Sequence, residues 1–303
     1  MRYNKIIMDK TIGFIGLGTM GAPIATRLLN CGFRLVLYDI DTKKLEIFSK
    51  RSNCEIASSP KDMGKTVRRV ITILPNSDIV SEVLFANNGL IHSLSDGSMV
   101  IDMSTGSVPA FIQQAEKLAE KKLQMVDLPV GRSPAEALTG QLIAMAGLDE
   151  NHADAIDDIA DAIAEKTIYT GKLGNGLRLK LVNNYMAMVG HVLAAEVLAL
   201  ALRVGLNRDQ TVCLLQKTAA GRGQLLTNFP KKVLANDITP DFPVSMGIKD
   251  IDMALELFST VGQEGKFGNL ANQIFMQAAQ NGYNDKDCTS VLTYLDEVVE
   301  RQS

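Results

Sequence analysis

The stretch "GFIGLGTMGAPIATRLL" constrains this chain more than any other. It sets Gly16, Gly18 and Gly21 in a G-x-G-x-x-G spacing, directly after an apolar run and at the start of a helical pattern. Each glycine answers a different need. Gly16 permits a tight turn, Gly18 lets the backbone approach a pyrophosphate, and Gly21 lets helix and strand pack closely. A helix N-terminus at that place offers free N–H groups and a favourable dipole to phosphates. Glycine turns are common, so the spacing alone is a weak signal. Here it lies N-terminally, between strand and helix, and Asp39 ends the next strand 18 residues after Gly21. A carboxylate there suits the adenosine ribose hydroxyls and repels a 2′-phosphate. NAD, as NADH, is therefore the expected cofactor. The plainer reading of Asp39 is a turn residue opening "DIDTKK".

Seven short runs read as strands, at residues 11–16, 34–39, 68–74, 98–103, 124–129, 142–147 and 166–171. Residues 22–31, between the first pair, read as a helix. This alternation implies parallel strands joined by crossover helices, an α/β fold with a doubly wound Rossmann sheet. After Gly171 helical periodicity dominates to the end. Residues 177–204 read as one long helix, about 40 Å at the usual rise per residue. The expected domains are an NAD-binding Rossmann domain over 1–172 and an all-α C-terminal domain over 173–303, joined by the long helix.

The chain has 303 residues, 46% hydrophobic and 21% charged, enough for a sizeable core. A net charge of −3 without a long basic run argues against nucleic acid and anionic membrane as partners. Cys31, Cys54, Cys213 and Cys288 lie far apart, with no C-x-x-C and no metal-ligand spacing. They read as reduced thiols of a cytoplasmic protein, and no metal is expected. The N-terminus is too short and too charged for a signal peptide. Met8 opens "MDKTIGFIGLG", so the first seven residues read as a dispensable extension. Lys180, Asn183, Asn184, His191, Glu196 and Arg203 interrupt the long helix, which argues against a membrane span.

Lys180, Asn183 and Asn184 share one face of that helix at i, i+3 and i+4. Polar groups on so apolar a helix need partners or a ligand. They read equally well as a hydrogen-bond cluster between domains or as a proton donor with orienting amides, lysine being competent as an acid once burial tunes it. His191 lies eleven residues on from Lys180, about 16 Å along the axis, and reads as a packed or interface residue. In "DLPVGRSPAEALTG", Arg132 stands inside a glycine turn, where a surface arginine is the plainer reading.

Four ordered stretches together resemble the β-hydroxyacid dehydrogenase family, the 3-hydroxyisobutyrate dehydrogenase-like enzymes: the glycine loop, "DLPVGRSPAEALTGQLIAMAG", "GNGLRLKLVNNYMA" and "IKDIDMALE". The likeness runs from about Thr11 to near the end. It implies that Lys180 is the catalytic acid, with Asn184 orienting it or the substrate and Asn183 beside it. It implies that Thr105 in "DMSTG" lies near the nicotinamide, that Leu74 lines the cofactor, and that Thr19 and Met20 lie over the pyrophosphate. Lys249 would reach the active site from the second domain. The family usually writes its substrate turn Asp-x-Pro-Val-Ser-Gly-Gly. This chain has Gly131, Arg132 and Ser133 after Val130. Together with "NNYM" and "TAAGRG", that form is similar to the branch that reduces 3-sulfolactaldehyde to 2,3-dihydroxypropane-1-sulfonate. The resemblance thus implies an NADH-dependent reductase of a short anionic aldehyde, with Arg132 holding the sulfonate and Ser133 adding a donor. Alternatives are another semialdehyde reductase of the family, or an NADH-binding protein without turnover. The long apolar helix further suggests a homodimer or homotetramer.

Overall fold

Alternation along the strands decides how the first part of the chain packs. The computed structural model describes residues 10–302, so the N-terminal extension lies outside the described residues. In chain order the first elements are β1 (Thr11–Ile15), α1 (Gly21–Asn30), β2 (Arg34–Tyr38), α2 (Lys43–Glu46), β3 (Cys54–Ile56), α3 (Pro60–Met63), β4 (Arg69–Thr72), α4 (Ser77–Phe85), β5 (Met99–Asp102), α5 (Val108–Ala119) and β6 (Gln124–Asp127). The six strands form one parallel sheet in the order β3-β2-β1-β4-β5-β6. Ile12, Phe14, Leu35, Leu37, Ile71, Ile101 and Val126 point to one face and join the core under α1. Val36, Val70, Val100 and Met125 point to the other, against Phe111 and Leu118 of α5. Period two with apolar residues at both phases is what a sheet covered on both sides requires. Each such side chain, fully buried, contributes about 1.5–3 kcal/mol. The order reverses between β1 and β4, which opens a crevice at the carboxyl ends of those two strands.

Two of the seven expected strands do not extend this sheet. The chain continues through β7 (Val130–Gly131), α6 (Pro134–Thr139), β8 (Leu142–Ala146), α7 (Asp157–Ile163) and β9 (Ala164–Tyr169). β7 pairs antiparallel with β8, and β8 parallel with β9, as a separate three-stranded sheet. Alternation reveals a strand but not its sheet. β3 and β7, with three and two residues, are too short to show a period and were not expected.

α8 (Asn175–Arg203) follows as a single helix of 29 residues. The chain packs as two compact units that divide between Met186 and Ala187, inside α8. The sequence boundary at 172 marks the change of element type after β9. The packing boundary falls later because the first turn of α8 is held on the sheet. In the second unit come α9 (Arg208–Lys217), α10 (Ala219–Arg222), α11 (Val244–Thr260), α12 (Lys266–Ala278) and α13 (Val291–Gln302). Their core is small: Val244, Ala278, Tyr283 and Tyr294. Buried Asp287 braces it by accepting the N–H groups of Asp241, Phe242 and Thr289 at 3.1, 3.2 and 3.1 Å.

Candidate active site

The glycine loop turns where β1 gives way to α1. Gly16 holds φ +101°, a conformation open to glycine and strained for other residues. A Cβ on Gly21 would collide with the Gly16 carbonyl oxygen, so this glycine is what lets α1 start so close to the strand. A Cβ on Gly18 would meet nothing within 4 Å. The loop there faces open space, and the N–H groups of Gly18, Thr19 and Met20 have no acceptor among the described residues. Free amides, a helix N-terminus and an absent side chain together fit a pyrophosphate.

Asp39 follows β2 and is buried beside this loop. Its Oδ2 accepts the Leu17 N–H at 2.6 Å and its Oδ1 the Asp41 N–H at 2.8 Å. Lys44 Nζ stands 3.5 Å from Oδ1. The carboxylate therefore orders the glycine loop besides standing where an adenosine ribose would lie in this fold. That second duty was not legible in the sequence.

The loops after β4 and β5 are stitched together. Ser104 Oγ accepts the Leu74 N–H at 2.9 Å. Buried Asp102 accepts the Thr72 hydroxyl at 2.8 Å and the Ser104 N–H at 3.1 Å through the same Oδ1. Burial pushes the Asp102 carboxyl up, and the bonds from Ser104 and Thr72 oppose that. Ser77 Oγ accepts the Ser107 N–H at 2.8 Å, while Gly106 leaves the room that hydroxyl needs. Leu74 also reaches the glycine loop: a Cβ on Gly16 would lie 3.0 Å from its Cδ2. Thr105, half-buried, sits between these anchors. Parallel strands bring all of these loops to one edge of the sheet.

Lys180 projects from the second turn of α8. Burial alone pulls its ammonium pKa below the ordinary lysine range, and it makes no hydrogen bond or ion pair among the described residues. Asn184 is half-buried and Asn183 exposed, and Asn183 Nδ2 donates to Asn184 Oδ1 at 3.2 Å. His191 Nδ1 lies 2.6 Å from the Ala187 carbonyl oxygen, one turn back on the same helix. Lys249, on α11, belongs to the second unit, where it is exposed with Asp250 Oδ1 at 3.8 Å.

Arg132 is bonded to its own neighbours, Gln141 and Glu165. Its backbone holds φ +83°, unusual for a side chain with a Cβ. Its Nη1 donates to the Gln141 carbonyl at 2.6 Å, and Nη1 and Nη2 each lie 2.7 Å from an oxygen of Glu165 at the start of β9. Hydrogen bonding to Glu165 raises the arginine pKa and lowers that of the glutamate. Ser133 is likewise engaged: it is the N-cap of α6, its hydroxyl donating to Glu136 and accepting the Ala135 N–H at 3.3 Å. Sequence reasoning missed Glu165, 33 residues from its partner.

Residues 11–171 match the NAD-binding domain of 6-phosphogluconate dehydrogenase, and residues 174–295 match the NAD-binding region of NADP-dependent 3-hydroxyisobutyrate dehydrogenase. The chain is 34% identical to 3-sulfolactaldehyde reductase of Escherichia coli, over 93% of this chain and 94% of that one. The crystal structure of 3-hydroxyisobutyrate dehydrogenase from Salmonella typhimurium has a TM-score of 0.64 at 26% identity, covering 94% of this chain and 99% of its own. An imine reductase of Myxococcus stipitatus, solved with NADP+, reaches a TM-score of 0.84 at 15% identity over 94% and 99% of the two chains, a likeness of fold.

Proposed function

The chain belongs to the 3-hydroxyisobutyrate dehydrogenase family of NAD(P)-dependent β-hydroxyacid dehydrogenases, and from that premise we propose that it uses NADH to reduce a short anionic aldehyde, 3-sulfolactaldehyde, to 2,3-dihydroxypropane-1-sulfonate. The observation that carries the reading is Lys180, half-buried and unpaired among the described residues, on a helix fastened to the sheet edge that bears the glycine loop. NADH, when bound, supplies the hydride. Gly18, Thr19 and Met20 would hold the pyrophosphate with their N–H groups and Asp39 the ribose, and Leu74 and Thr105 would line the nicotinamide site. Lys180 gives its proton to the aldehyde oxygen as the carbon is reduced, with Asn183 and Asn184 orienting that oxygen.

In this reading Arg132 exchanges Glu165 for the sulfonate, and Ser133 adds a donor. Both Arg132 and Glu165 are substantially exposed, and exposed ion pairs hold their partners weakly. A second reading is a carboxylate semialdehyde as substrate, since an arginine that can exchange Glu165 for a sulfonate can exchange it for a carboxylate as well. NADH oxidation with a panel of 3-sulfolactaldehyde, succinic, tartronate and methylmalonate semialdehydes and an uncharged aldehyde tests both. The highest kcat/KM is expected with 3-sulfolactaldehyde. A faster carboxylate semialdehyde favours the second reading, and no turnover of any of them favours a binding protein.

Two further outcomes are expected. Reduction needs the protonated lysine. Its kcat should fall as pH rises through a pKa below the ordinary lysine value of about 10.4, while alcohol oxidation rises across the same window. A kcat for reduction that stays flat through that window, in steady-state assays at saturating substrate, would sink Lys180 as donor. Asp39→Arg should shift preference from NADH toward NADPH, since the introduced guanidinium and Lys44 could both meet a 2′-phosphate. It should also lower efficiency with NADH, because Leu17 loses its acceptor. The ratio of kcat/KM for the two cofactors decides it, and a wild-type preference for NADPH would refute the assignment of Asp39.

α8 is long and apolar enough to cross a membrane by length and composition. Met188, Val192, Leu193 and Leu202 lie exposed on it. We assign these side chains to a second copy of the chain, in a homodimer or homotetramer, rather than to a bilayer. Sedimentation that gives a monomer at micromolar concentration would remove the assignment. The four cysteines are unpaired thiols, in keeping with a cytoplasmic setting.

A further inference from the structure

Asp127 ends β6 and has no part in the chemistry above. It is 1% exposed. Its Oδ1 accepts the Gly174 N–H at 2.8 Å and its Oδ2 the Leu177 N–H at 2.8 Å. Both donors belong to the start of α8, so a side chain from the sheet caps a helix from another part of the chain. The surroundings are shaped to admit it. A Cβ on Gly147 would collide with the carboxylate, and a Cβ on Gly176 would collide with the Met145 carbonyl oxygen and lie 3.0 Å from Asp127 Oδ2. Glycine at both positions lets the end of β8 and the start of α8 close over the acid. The Gly147 N–H donates to the Asp127 carbonyl at 2.9 Å and ties β8 to the same point. Burial pushes the carboxyl up, and the amides of Gly174 and Leu177 pull it back. The helix end offers partial positive charge to the ionised form.

Lys180 follows Leu177 by three residues, so one turn of helix separates the clamp from the lysine. We infer that Asp127 is a positioning residue, fastening the first turn of α8 to the end of β6 and so fixing where the Lys180 ammonium stands relative to the loops that carry the glycine cradle and Thr105. The inference rests on Lys180 as proton donor. Reaction geometry is sensitive at this scale, and a misplacement of about 1 Å can cost on the order of 100-fold in rate.

The test is Asp127→Asn, which keeps size and one acceptor but turns an amide toward the other N–H. Aldehyde reduction should lose about 10- to 100-fold in kcat, while the Kd for NADH, read by fluorescence, should hold within about twofold because the pyrophosphate cradle lies on other strands. In a Lys180→Ala background the same change should slow the enzyme no further, as expected of residues that act as a unit. Should Asp127→Asn fail to fold, Asp127→Ser removes the buried charge, keeps a hydroxyl acceptor and should give the same split. An unchanged kcat overturns the inference. So does a full additional loss in the Lys180→Ala background, or weakened NADH binding, because either makes Asp127 a general structural support. If Lys180→Ala itself retains kcat, the donor assignment fails, whatever Asp127→Asn does.

Discussion

Lys180→Ala should lower kcat for aldehyde reduction by about 10²–10⁴-fold, the usual value of a positioned general acid. NADH affinity should stay close to wild type, because the groups assigned to the pyrophosphate and ribose are in the loop between β1 and α1 and directly after β2. The lysine has no structural bond to lose among the described residues, and its half-buried ammonium is already disfavoured by desolvation. Stability should therefore hold or rise, which separates the chemical effect from unfolding. Single-turnover reduction with preformed enzyme–NADH complex measures it most directly. A variant that kept wild-type kcat across pH would show that the proton comes from elsewhere.

Arg132→Gly should depress kcat/KM for 3-sulfolactaldehyde by about 30- to 5,000-fold, the range expected when a charge-assisted contact to a desolvated anion is lost. An uncharged aldehyde of similar size should lose less than about tenfold, since it never used the charge. Glycine is the informative replacement here, because the backbone at this position stands at φ +83°. Serine would keep the conformational strain, whereas glycine removes it along with the guanidinium. The variant should thus fold as well as the wild type, with a thermal midpoint no lower. Equal losses on both aldehydes, or a lowered midpoint, would make Arg132 a staple between the turn and Glu165 instead of the reader of the anion.

The cofactor half of this site was legible because its signals are local. Three glycines at fixed spacing and an acid at the next strand end leave few alternatives, and five of the six strands of the parallel sheet follow from alternation and crossover helices. β3, at three residues, escaped for want of a period, and the rest of what escaped depends on neighbours distant in sequence. The pairing of Arg132 with Glu165 spans 33 residues and two elements, and neither residue announces the other. Residues 142–147 and 166–171 were recognisable as strands, but alternation does not say which sheet they join, and their partner β7 has two residues that carry no period. Asp127 was visible as an acid ending an apolar run. Its grip on α8 became apparent only with Gly147, Gly174 and Gly176 around it.

The acids and the hydroxyl that frame the crevice share a habit: Asp39 holds the amide of Leu17, Ser104 that of Leu74, and Asp127 those of Gly174 and Leu177. Each grips main chain, which every residue possesses, so the shape of the crevice is written in the peptide backbone, with glycine where a Cβ would strike it, as at Gly147 and Gly176. Such a frame works like a machinist's jig, holding its dimensions while the tool fitted to it is exchanged. On the proposed reading of Arg132, a new substrate then asks for a new residue at position 132 and its surroundings, and asks nothing of the frame.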